Sequence, residues 1–525
     1  MVYAMQHSWR ALCRPVLSAP RLVVARMEAH QAAAAAASQH KETAPKSVKD
    51  IPGPPTFPLV GCLPALIALT ISNSSKKLHL IFGDVVKKYG SMVRLENPQM
   101  PPVVIVIDPN HIEAFVRATM DNPVRDGFFS LKKIRLEAVD NYFEGKTGLL
   151  TENGDEWWRV RSRVQTPMMK PKNVTSYLGQ VDEVTIEFVE RMASLQEQHG
   201  EMPTDFQTEL YKWALESVGL VALNRRLGCL ASDLTEDSEP MRLIRLVNDL
   251  FHNLNLTEYG VHTWRIFPTK PFRTLRDKHN EFLRLADSNI RETEASLLAL
   301  GTEDRELTLM EKLLMTPGLS RKDVTTLILD MLFAGIDTTS HTMAFTLYLL
   351  ARHPEAQAKL QEEVDSVLRG HEGPLTERHL AQLSYLKAVI KESLRIFPLI
   401  HGVGRTLDKD LILDDYLIPK GWCMFGINML TGWDERFFPR VKEFVPERWL
   451  RHKPLGPIHP YASLPFGAGT RMCIGRRLAE QEMYIFLTRV MERFTVDYKY
   501  EDIDIVTSLV NTPSRPLRFN LIERS

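Results

Sequence analysis

Apolar side chains recur at helical spacing over much of the chain, from about residue 113 to residue 397. Prolines and glycines interrupt this pattern repeatedly, which predicts a series of separate helices. Runs rich in β-branched residues predict two short strands ahead of them, at Met92–Leu95 and at residues 103–108. Residues 405–427 and 494–522 predict further strands. The pattern therefore predicts an α+β fold that is predominantly α-helical, with small peripheral β-sheets.

One predicted helix is unusually long and apolar. Ser320 and Asp323 form a capping-box pattern, and no proline follows until Pro354. A helix over Arg321–Arg352 would be about 48 Å long, and its apolar residues lie nearly all round it, which predicts burial. Its middle contains the polar stretch Ala334-Gly-Ile-Asp-Thr-Thr-Ser340. The Asp and Thr side chains compete for backbone hydrogen bonds and weaken the helix there, so their place in a buried helix needs an explanation.

The amino-terminal segment is basic and lacks acidic residues. It contains Arg10, Arg14, Arg21 and Arg26, and the first acidic residue is Glu28. This composition is typical of a mitochondrial transit peptide. A secretory signal or a membrane anchor would need an uninterrupted apolar core, and the arginines interrupt every candidate core here. A disordered tail is the alternative interpretation. We therefore predict a transit peptide and linker over residues 1–45 and a single folded domain over residues 46–525.

An apolar stretch follows a stiff hinge near the start of this domain. The hinge is the segment Ile51-Pro-Gly-Pro-Pro55, in which each proline fixes the backbone. The apolar stretch covers residues 59–71, which is short for a membrane span and contains Pro64. We expect it either to pack on the body of the protein or to dip into a membrane surface.

Composition excludes several classes of protein. The chain has 525 residues, of which 44% are hydrophobic and 25% charged, values that are ordinary for globular proteins. Its 65 Lys and Arg residues balance its 65 Asp and Glu residues, so no net charge attracts it to nucleic acid. The five cysteines show no CxxC spacing, which argues against a disulfide framework and favours a reducing compartment.

The strongest chemical signal is the segment Phe466-Gly-Ala-Gly-Thr-Arg-Met-Cys-Ile-Gly475. Its three glycines allow the backbone to approach a large, flat group. Cys473 lies just ahead of a helical pattern that starts near residue 474, and a helix amino end favours a thiolate. A lone cysteine is usually a small buried hydrophobe, but in this loop Cys473 is interpreted as a metal ligand or a nucleophile.

This loop resembles the haem-binding motif of the cytochrome P-450 family, Phe-x-x-Gly-x-Arg-x-Cys-x-Gly, at every fixed position. Four further motifs of that family occur in the same order along the chain. They are Trp157 with Arg161, residues 334–339, Glu392 with Arg395, and residues 444–448. The resemblance extends from about residue 51 to the carboxyl end, and it implies the cytochrome P-450 fold, with the long helix over the haem.

The resemblance implies a cofactor, haem b, and residues that hold it. Cys473 would be the axial ligand of the haem iron. The remaining implied haem-binding residues are Phe466, Gly467 and Gly475 in the loop, and Trp157, Arg161, Arg405 and Arg471 as donors to the propionates.

The resemblance also implies roles for two further groups of residues. Thr338 and Asp337 would deliver protons to dioxygen, although the Thr338 hydroxyl could instead bond to a carbonyl of its own helix. The residues Glu392, Arg395 and Arg448 would form a buried structural network of charges.

The implied function is the insertion of one oxygen atom from O₂ into a lipophilic substrate, sterol-like, steroid-like or xenobiotic. Lys387, Lys391, Arg476 and Arg477 resemble the docking patch of the mitochondrial branch, which takes electrons from an acidic, adrenodoxin-like ferredoxin and its NADPH-dependent reductase. Simple solvation of these side chains is the alternative. The expected location is the matrix side of the inner mitochondrial membrane, with peripheral membrane association and no nucleic-acid partner.

Two other functions remain open at this stage. One is a family member of the endoplasmic reticulum that uses a flavoprotein reductase. The other is a haem-based sensor without turnover. The family's substrate-contacting regions would fall near residues 125–144, 243–274, 399–403 and 508–512, which contain apolar side chains such as Phe251. Packing between helices is an equal alternative for each of these side chains.

Overall fold

The structure is a computed structural model that describes residues 44–73, 77–98, 100–259, 262–300, 306–371, 373–451 and 455–524. The predicted transit peptide therefore lies almost entirely outside the described residues. The α-helices of the described chain are α1 (Leu63–Asn73), α2 (Leu78–Tyr89), α3 (Pro109–Ala118), α4 (Phe129–Leu136), α5 (Gly154–Met169), α6 (Pro171–Thr175), α7 (Leu178–His199), α8 (Phe206–Leu223), α9 (Glu239–Glu258), α10 (Lys270–Leu300), α11 (Leu309–Leu314), α12 (Arg321–Arg352), α13 (Pro354–Leu368), α14 (Glu377–Gln382), α15 (Ser384–Ile396), α16 (Asn428–Gly432) and α17 (Arg476–Arg493).

The strands are short and lie at the margins of the helical body. They are β1 (Lys46–Ser47), β2 (Met92–Leu95), β3 (Val103–Val106), β4 (Val403–Thr406), β5 (Leu411–Leu413), β6 (Tyr416–Ile418), β7 (Cys423–Gly426), β8 (Phe494–Asp497), β9 (Ile505–Ser508), β10 (Val510–Pro513) and β11 (Asn520–Glu523). The predicted fold class, α+β and predominantly helical, is confirmed. The second predicted strand ends two residues early, because Asp108 accepts a hydrogen bond from Asn110 and caps α3 instead.

A four-stranded sheet carries one of the predicted site residues. Its strand order is β2-β3-β7-β4, with β3 parallel to β7 and the other two pairs antiparallel. Arg405 pairs with Met424 in this sheet, and its side chain is buried. A smaller sheet has the order β1-β6-β5, and the strand pairs β8-β11 and β9-β10 complete the described β-structure.

Helix α12 is the central helix, and it has the predicted bounds. Ser320 and Asp323 form both bonds of the capping box at its start. Helix α8 packs against it closely, since a Cβ added to Gly335 would lie 2.9 Å from Cγ2 of Val218. Further along α12, the His341 side chain meets Tyr211 of α8 at 3.0 Å. From the first of these contacts to the second, the sequence positions advance along α12 and go back along α8. The two helices therefore run antiparallel.

A buried network of charges joins α15 to the segment ahead of the cysteine loop. Glu392 accepts hydrogen bonds from Arg395 at 2.7 Å and from Arg448 at 3.0 Å. The indole of Trp449 donates to the other oxygen of Glu392 at 2.8 Å. Arg395 and Arg448 also donate to backbone carbonyls, including that of Gly432. The carboxylate and every guanidinium nitrogen of the two arginines therefore have a hydrogen-bond partner inside the protein.

The apolar segment near the start of the domain folds into helix α1. Pro64 lies in the first turn, where a missing N–H does not break the helix. Leu59 is 94% exposed, and Phe57, Val60 and Ile67 are also exposed. Within the described residues, every helix is too short or too polar to cross a membrane.

Candidate functional site

The cysteine loop is a tight bend that ends at the start of α17. The backbone N–H of Cys473 donates to the carbonyl of Phe466 at 2.9 Å, which closes the bend. Gly467 and Gly469 both have positive φ angles, of 71° and 73°, which disfavour any residue with a side chain. Gly475 caps α17, so the helix begins at residue 476, slightly later than predicted.

The Cys473 thiol is accessible although protein surrounds it. Cys473 is the exposed member of the four free cysteines in the described chain, yet burial is the largest influence on its pKa and raises it. The N–H of Gly475 and the cations Arg161, Arg125 and Arg476 lower this pKa by smaller amounts. The expected effect of the helix end is therefore present but is outweighed by desolvation. A thiol that is accessible although protein surrounds it could bind a metal ion, and metal binding would favour its thiolate form.

Four guanidinium groups converge near this thiol. We call Arg125, Arg161, Arg405 and Arg471 the arginine cluster. The pKa of Arg161 and of Arg405 is lowered to about 10, by burial first and to a smaller extent by the charge of Arg125. The pKa of Arg471 falls to about 8, through burial first and then through the charges of the other three arginines. The four side chains therefore lie close enough to repel one another.

In the described part of the chain, no carboxylate lies within ion-pair distance of this charge. Within the described residues, no member of the arginine cluster forms an ion pair. The Nε atoms of Arg161, Arg405 and Arg471 are buried without a hydrogen-bond partner. Buried cations of this kind require a negatively charged partner. An anionic group with two carboxylates, placed beside the Cys473 thiol, would satisfy them.

A contact with an aromatic ring and hydrogen bonds to backbone carbonyls orient the side chains of Arg471 and Arg405. Arg471 lies over the ring of Trp157 at 4.6 Å and donates to the carbonyl of Glu152 at 2.6 Å. Arg405 donates to the carbonyl of Ala468 at 3.0 Å, in the cysteine loop. Trp157 and Arg161 are both buried on α5. The structure therefore brings together Trp157, Arg161, Arg405 and Arg471, as the sequence predicts.

Arg125 is a member of the cluster that the sequence analysis did not assign. It lies in an irregular segment ahead of α4, and its guanidinium donates to the carbonyl of Leu150 at 2.9 Å. Its backbone N–H donates to Asn153, whose side chain also accepts from Arg471. No motif marks Arg125 in the sequence, and the folding of the segment around Asn153 is what places it beside the other arginines.

The polar stretch of α12 separates into two environments. The hydroxyl of Thr338 donates to the carbonyl of Ala334 at 2.8 Å, which is the alternative considered from the sequence. Asp337 is buried, and its Oδ1 atom has no hydrogen-bond partner. Burial alone raises the pKa of Asp337 to about 7, so its carboxyl can change protonation state near neutral pH.

The four predicted docking cations differ in how freely they face solvent. Lys391 and Arg477 are exposed. Lys387 donates to the carbonyl of Ala381 at 3.2 Å, and burial lowers its pKa. Arg476 pairs with Glu480 at 2.9 Å. Lys387 also lies over the ring of Tyr484 in α17, at 5.7 Å. This contact places α15, which carries the two lysines, beside α17, which carries the two arginines.

Comparison with known proteins agrees with this geometry. The sequence profile of the family "Cytochrome P450" matches residues 51–520. The chain therefore belongs to the cytochrome P450 family. A Drosophila melanogaster protein named "Cytochrome P450 302a1, mitochondrial" is 35% identical over 458 residues, which span 86% of this chain and 90% of that protein. "Probable cytochrome P450 301a1, mitochondrial", from the same organism, is 33% identical over 486 residues, which span 90% and 86%.

A vertebrate relative extends this similarity. "Cytochrome P450 27C1" from Danio rerio is 30% identical over 468 residues, which span 88% of this chain and 84% of that protein. Membership of the family makes this protein a haem-thiolate monooxygenase with haem b as its cofactor. The accessible thiol and the unpaired arginine cluster fit that cofactor, because haem b combines a metal that binds thiolate with two propionate carboxylates.

Proposed function

We propose that this protein is a mitochondrial monooxygenase that receives electrons from a ferredoxin and oxygenates a lipophilic substrate. The observation that supports the site is the unpaired arginine cluster beside an accessible cysteine thiol. The overall reaction consumes one O₂, two electrons and two protons per substrate, and it yields the oxygenated product and one water. The haem supplies the oxygen chemistry when it is bound. The protein binds, orients and delivers protons.

Within this proposal, Cys473 would bind the haem iron and the arginine cluster would neutralise the propionates. Phe466, Gly467 and Gly475 shape the bend that presents the thiol. Trp157 supports Arg471 through their contact and can donate its indole N–H. An arginine offers two parallel donors to a carboxylate, so four of them can hold two propionates with charge to spare.

Replacement of Arg161 by leucine should have opposite effects on the haem-free protein and on the haem-bound protein. Arg161 has a buried, unpartnered Nε, so its removal relieves repulsion in the haem-free protein and should raise its stability. The same change removes a propionate partner, so haem transfer to a haem acceptor should become about tenfold faster. The matched control is Arg163→Leu, since Arg163 lies two residues away and bonds to the carbonyl of Pro317. Equal haem loss from both variants would contradict the assignment.

We also propose that Asp337 and Thr338 deliver protons. The pKa of Asp337, raised to about 7, allows the carboxyl to hold a proton and to release it near neutral pH. The Thr338 hydroxyl donates to its own helix, which leaves its lone pairs free to accept a hydrogen bond. Asp337 then acts as the proton source and Thr338 orients the water or dioxygen that receives the proton.

The electron donor is proposed to dock on a basic surface made of Lys387, Lys391, Arg476 and Arg477. Arg476 and Arg477 directly follow the cysteine loop, and the Lys387 contact with Tyr484 joins α15 to the same side. Exposed cations raise the rate of encounter with an acidic protein and make it sensitive to salt. The mitochondrial relatives favour a ferredoxin over a flavoprotein reductase as this donor.

Charge reversal at the two exposed positions of this basic surface tests the docking proposal. We expect Lys391→Glu combined with Arg477→Glu to raise the ferredoxin concentration needed for half-maximal turnover about tenfold, with the effect shrinking as salt rises. Lys387 is a poorer choice, because its contacts with Ala381 and Tyr484 would also be lost. The control is Lys409→Glu, an exposed lysine in the bend between β4 and β5. Unchanged ferredoxin dependence in the double variant would contradict the basic surface.

Reconstitution distinguishes the electron donors and the sensor alternative. Purified holoprotein should oxygenate a bound substrate with NADPH, a ferredoxin reductase and a ferredoxin. Turnover supported only by a flavoprotein reductase would favour the endoplasmic-reticulum alternative. An absence of turnover with either system, despite bound haem and substrate, would favour a sensor. Shifts of the haem absorption band across sterols, steroids and xenobiotics identify the substrate class before any turnover is attempted.

Peripheral membrane association and a cleaved transit peptide complete the proposal. Phe57, Leu59 and Val60 are exposed beside α1, and Ile266 is 86% exposed between α9 and α10. Exposed apolar groups of this size favour contact with a lipid surface. We propose residues 46–525 as the catalytic domain on the matrix side of the inner membrane. Amino-terminal sequencing of protein isolated from mitochondria would test removal of residues 1–45.

A further inference from the structure

A buried ion pair joins α4 to the central helix near the arginine cluster. Nη2 of Arg135, in α4, donates to Oδ1 of Asp330, in α12, at 2.6 Å. The two side chains are 3% and 6% exposed. Burial of two charges is costly unless each group has further partners, so the pair by itself is weak evidence for stability. Its contacts outside the pair are therefore the informative feature.

Both members of the pair also contact the turn formed by residues 147–153, which leads into α5 and which we call the 147–153 turn. Nη1 of Arg135 donates to the carbonyl of Thr147 at 2.7 Å. Burial raises the pKa of Asp330, whereas Arg135 and the backbone N–H of Leu150 lower it. The carboxylate therefore faces the N–H of Leu150, and the guanidinium faces a carbonyl of the same turn.

Gly148 allows the 147–153 turn to approach the ion pair closely. Its φ angle is 80°, which disfavours any residue with a side chain. A Cβ built at this position would lie 2.6 Å from Cγ2 of Thr326. It would also lie 3.1 Å from Nη1 of Arg135 and from Oδ2 of Asp330. Carbon atoms in normal contact are about 3.5–4.0 Å apart, so a larger residue would lift the turn off the pair.

The same turn holds two members of the arginine cluster. The guanidinium of Arg125 donates to the carbonyl of Leu150 at 2.9 Å. Arg471 donates to the carbonyl of Glu152 at 2.6 Å and to Oδ1 of Asn153 at 3.0 Å. The backbone N–H of Arg125 donates to the same oxygen of Asn153. The position of the turn therefore sets where both guanidinium groups lie.

Arg125 is close to both the ion pair and the cysteine loop. Burial lowers the pKa of Arg125, whereas Cys473 and Asp330 raise it. Within the described residues, Arg125 and Asp330 form no ion pair, since Asp330 pairs with Arg135. Asp330 therefore attracts the Arg125 guanidinium from beyond contact distance, which leaves that guanidinium available to a carboxylate of the cofactor.

We propose that Arg135 and Asp330 position the arginine cluster for the haem propionates by fixing the 147–153 turn. This inference rests on the proposed role of the arginine cluster as the partner of the propionates. Arg135 and Asp330 act through the turn and are positioning residues. One of them belongs to α4 and the other to α12, so the turn is held in place only when these two helices pack together.

A purely structural ion pair would have a different effect. Its removal would weaken the packing of α4 on α12 and lower the stability of the protein, but it would leave the surroundings of the propionates unchanged. A positioning pair changes the hydrogen bonds made to the propionates. The propionate bending mode in the resonance Raman spectrum of the holoprotein responds to those hydrogen bonds, so this mode distinguishes the two roles.

The first test displaces the turn and keeps both charges of the ion pair. Gly148→Ala would push the turn away from Thr326. The matched control is Gly145→Ala, because Gly145 also has a positive φ angle, of 74°, but is exposed and has no other atom near the position of a Cβ. In Gly148→Ala, the propionate mode should shift and haem transfer to a haem acceptor should become about tenfold faster. Gly145→Ala should leave both measurements close to wild type.

The second test removes the ion pair as a unit. Arg135→Leu combined with Asp330→Leu removes one charge of each sign, so the net charge is unchanged and neither charge is left buried without its partner. The turn loses its contacts with both side chains, so the propionate mode and haem transfer should change as in Gly148→Ala. The one-electron reduction equilibrium of the haem iron should shift about threefold towards the oxidised form, or about 28 mV, because less positive charge faces the propionates.

A second buried ion pair provides the control for this double variant. Arg489 of α17 donates to both oxygens of Asp182 of α7, at 2.8 and 2.7 Å. Their side chains are 10% and 0% exposed, and neither residue contacts the 147–153 turn. Asp182→Leu combined with Arg489→Leu should lower stability, but it should leave the propionate mode and the reduction equilibrium unchanged.

The outcomes separate this inference from the proposal on which it rests. A wild-type propionate mode and haem transfer rate in both Gly148→Ala and the Arg135→Leu, Asp330→Leu variant would overturn the positioning role. Equal changes in the Asp182→Leu, Arg489→Leu variant would also overturn it, since lost stability would then be the cause. If the arginine cluster does not hold the propionates, Arg161→Leu would also leave the mode and haem transfer unchanged. None of these measurements needs turnover, so absent oxygenation would bear only on the proposed function.

Discussion

Replacement of Cys473 by alanine is expected to abolish the red-shifted absorption band of the reduced carbon monoxide complex and to lower turnover by about 10³-fold or more. The thiolate is the proposed protein ligand of the haem iron, and alanine has no atom that can bind a metal. The measurement is a reduced carbon monoxide spectrum, combined with substrate oxidation at saturating ferredoxin. A normal band in the variant would refute the ligand assignment.

The bend itself should survive this substitution. The bond that closes it runs from the backbone N–H of residue 473 to the carbonyl of Phe466, and alanine keeps that N–H. The arginine cluster is also unchanged, so some haem can remain bound through its propionates. Cys62→Ala is the matched control, because Cys62 is also a free cysteine but lies next to α1. It should retain the band and the turnover.

Replacement of Glu392 by alanine is expected to destabilise the fold by about 3–5 kcal/mol, because it leaves two buried arginines without their shared carboxylate. The side chains of Glu392 and Arg395 are both 0% exposed, and that of Arg448 is 1% exposed. The cost should appear in denaturant unfolding of the holoprotein, or as failure to accumulate folded, haem-containing protein.

Two variants control for this effect. Glu392→Gln keeps the shape of the side chain but removes the charge, and it should lose less stability than alanine while remaining clearly destabilised. Glu443→Gln breaks an exposed pair with Arg440 nearby, and it should leave the stability nearly unchanged. Similar stabilities for Glu392→Ala and Glu443→Gln would show that the network contributes little to the fold.

The elements predicted from the sequence were largely those with strong local signals. Helix α12 has the predicted ends because its capping box and the proline after its last turn act within a few residues. The strand β3 ended early because Asp108 prefers to cap the next helix. The sequence placed the start of α17 about two residues too early. Gly475 is the residue that caps this helix, and the spacing of apolar side chains does not show which residue is the cap.

The fold brings together those site residues whose spacing in the sequence is set by a motif. Trp157 and Arg161 share a face of α5, and Arg471 precedes Cys473 in the bend. Arg125 carries no such signal, and it joins the cluster only through contacts with Leu150 and Asn153. The contact between Tyr211 and His341 was equally hidden, since the two residues are 130 positions apart along the chain.

By itself, the sequence determined the fold class, the long central helix and the cysteine bend, because each depends on side chains only a few positions apart. It also determined the family, through motifs that are local in the same sense. The tertiary structure alone decided which charges are buried without a partner and that Arg125 belongs with three distant arginines. Those properties depend on which distant segments exclude water from one another, and no local pattern records that.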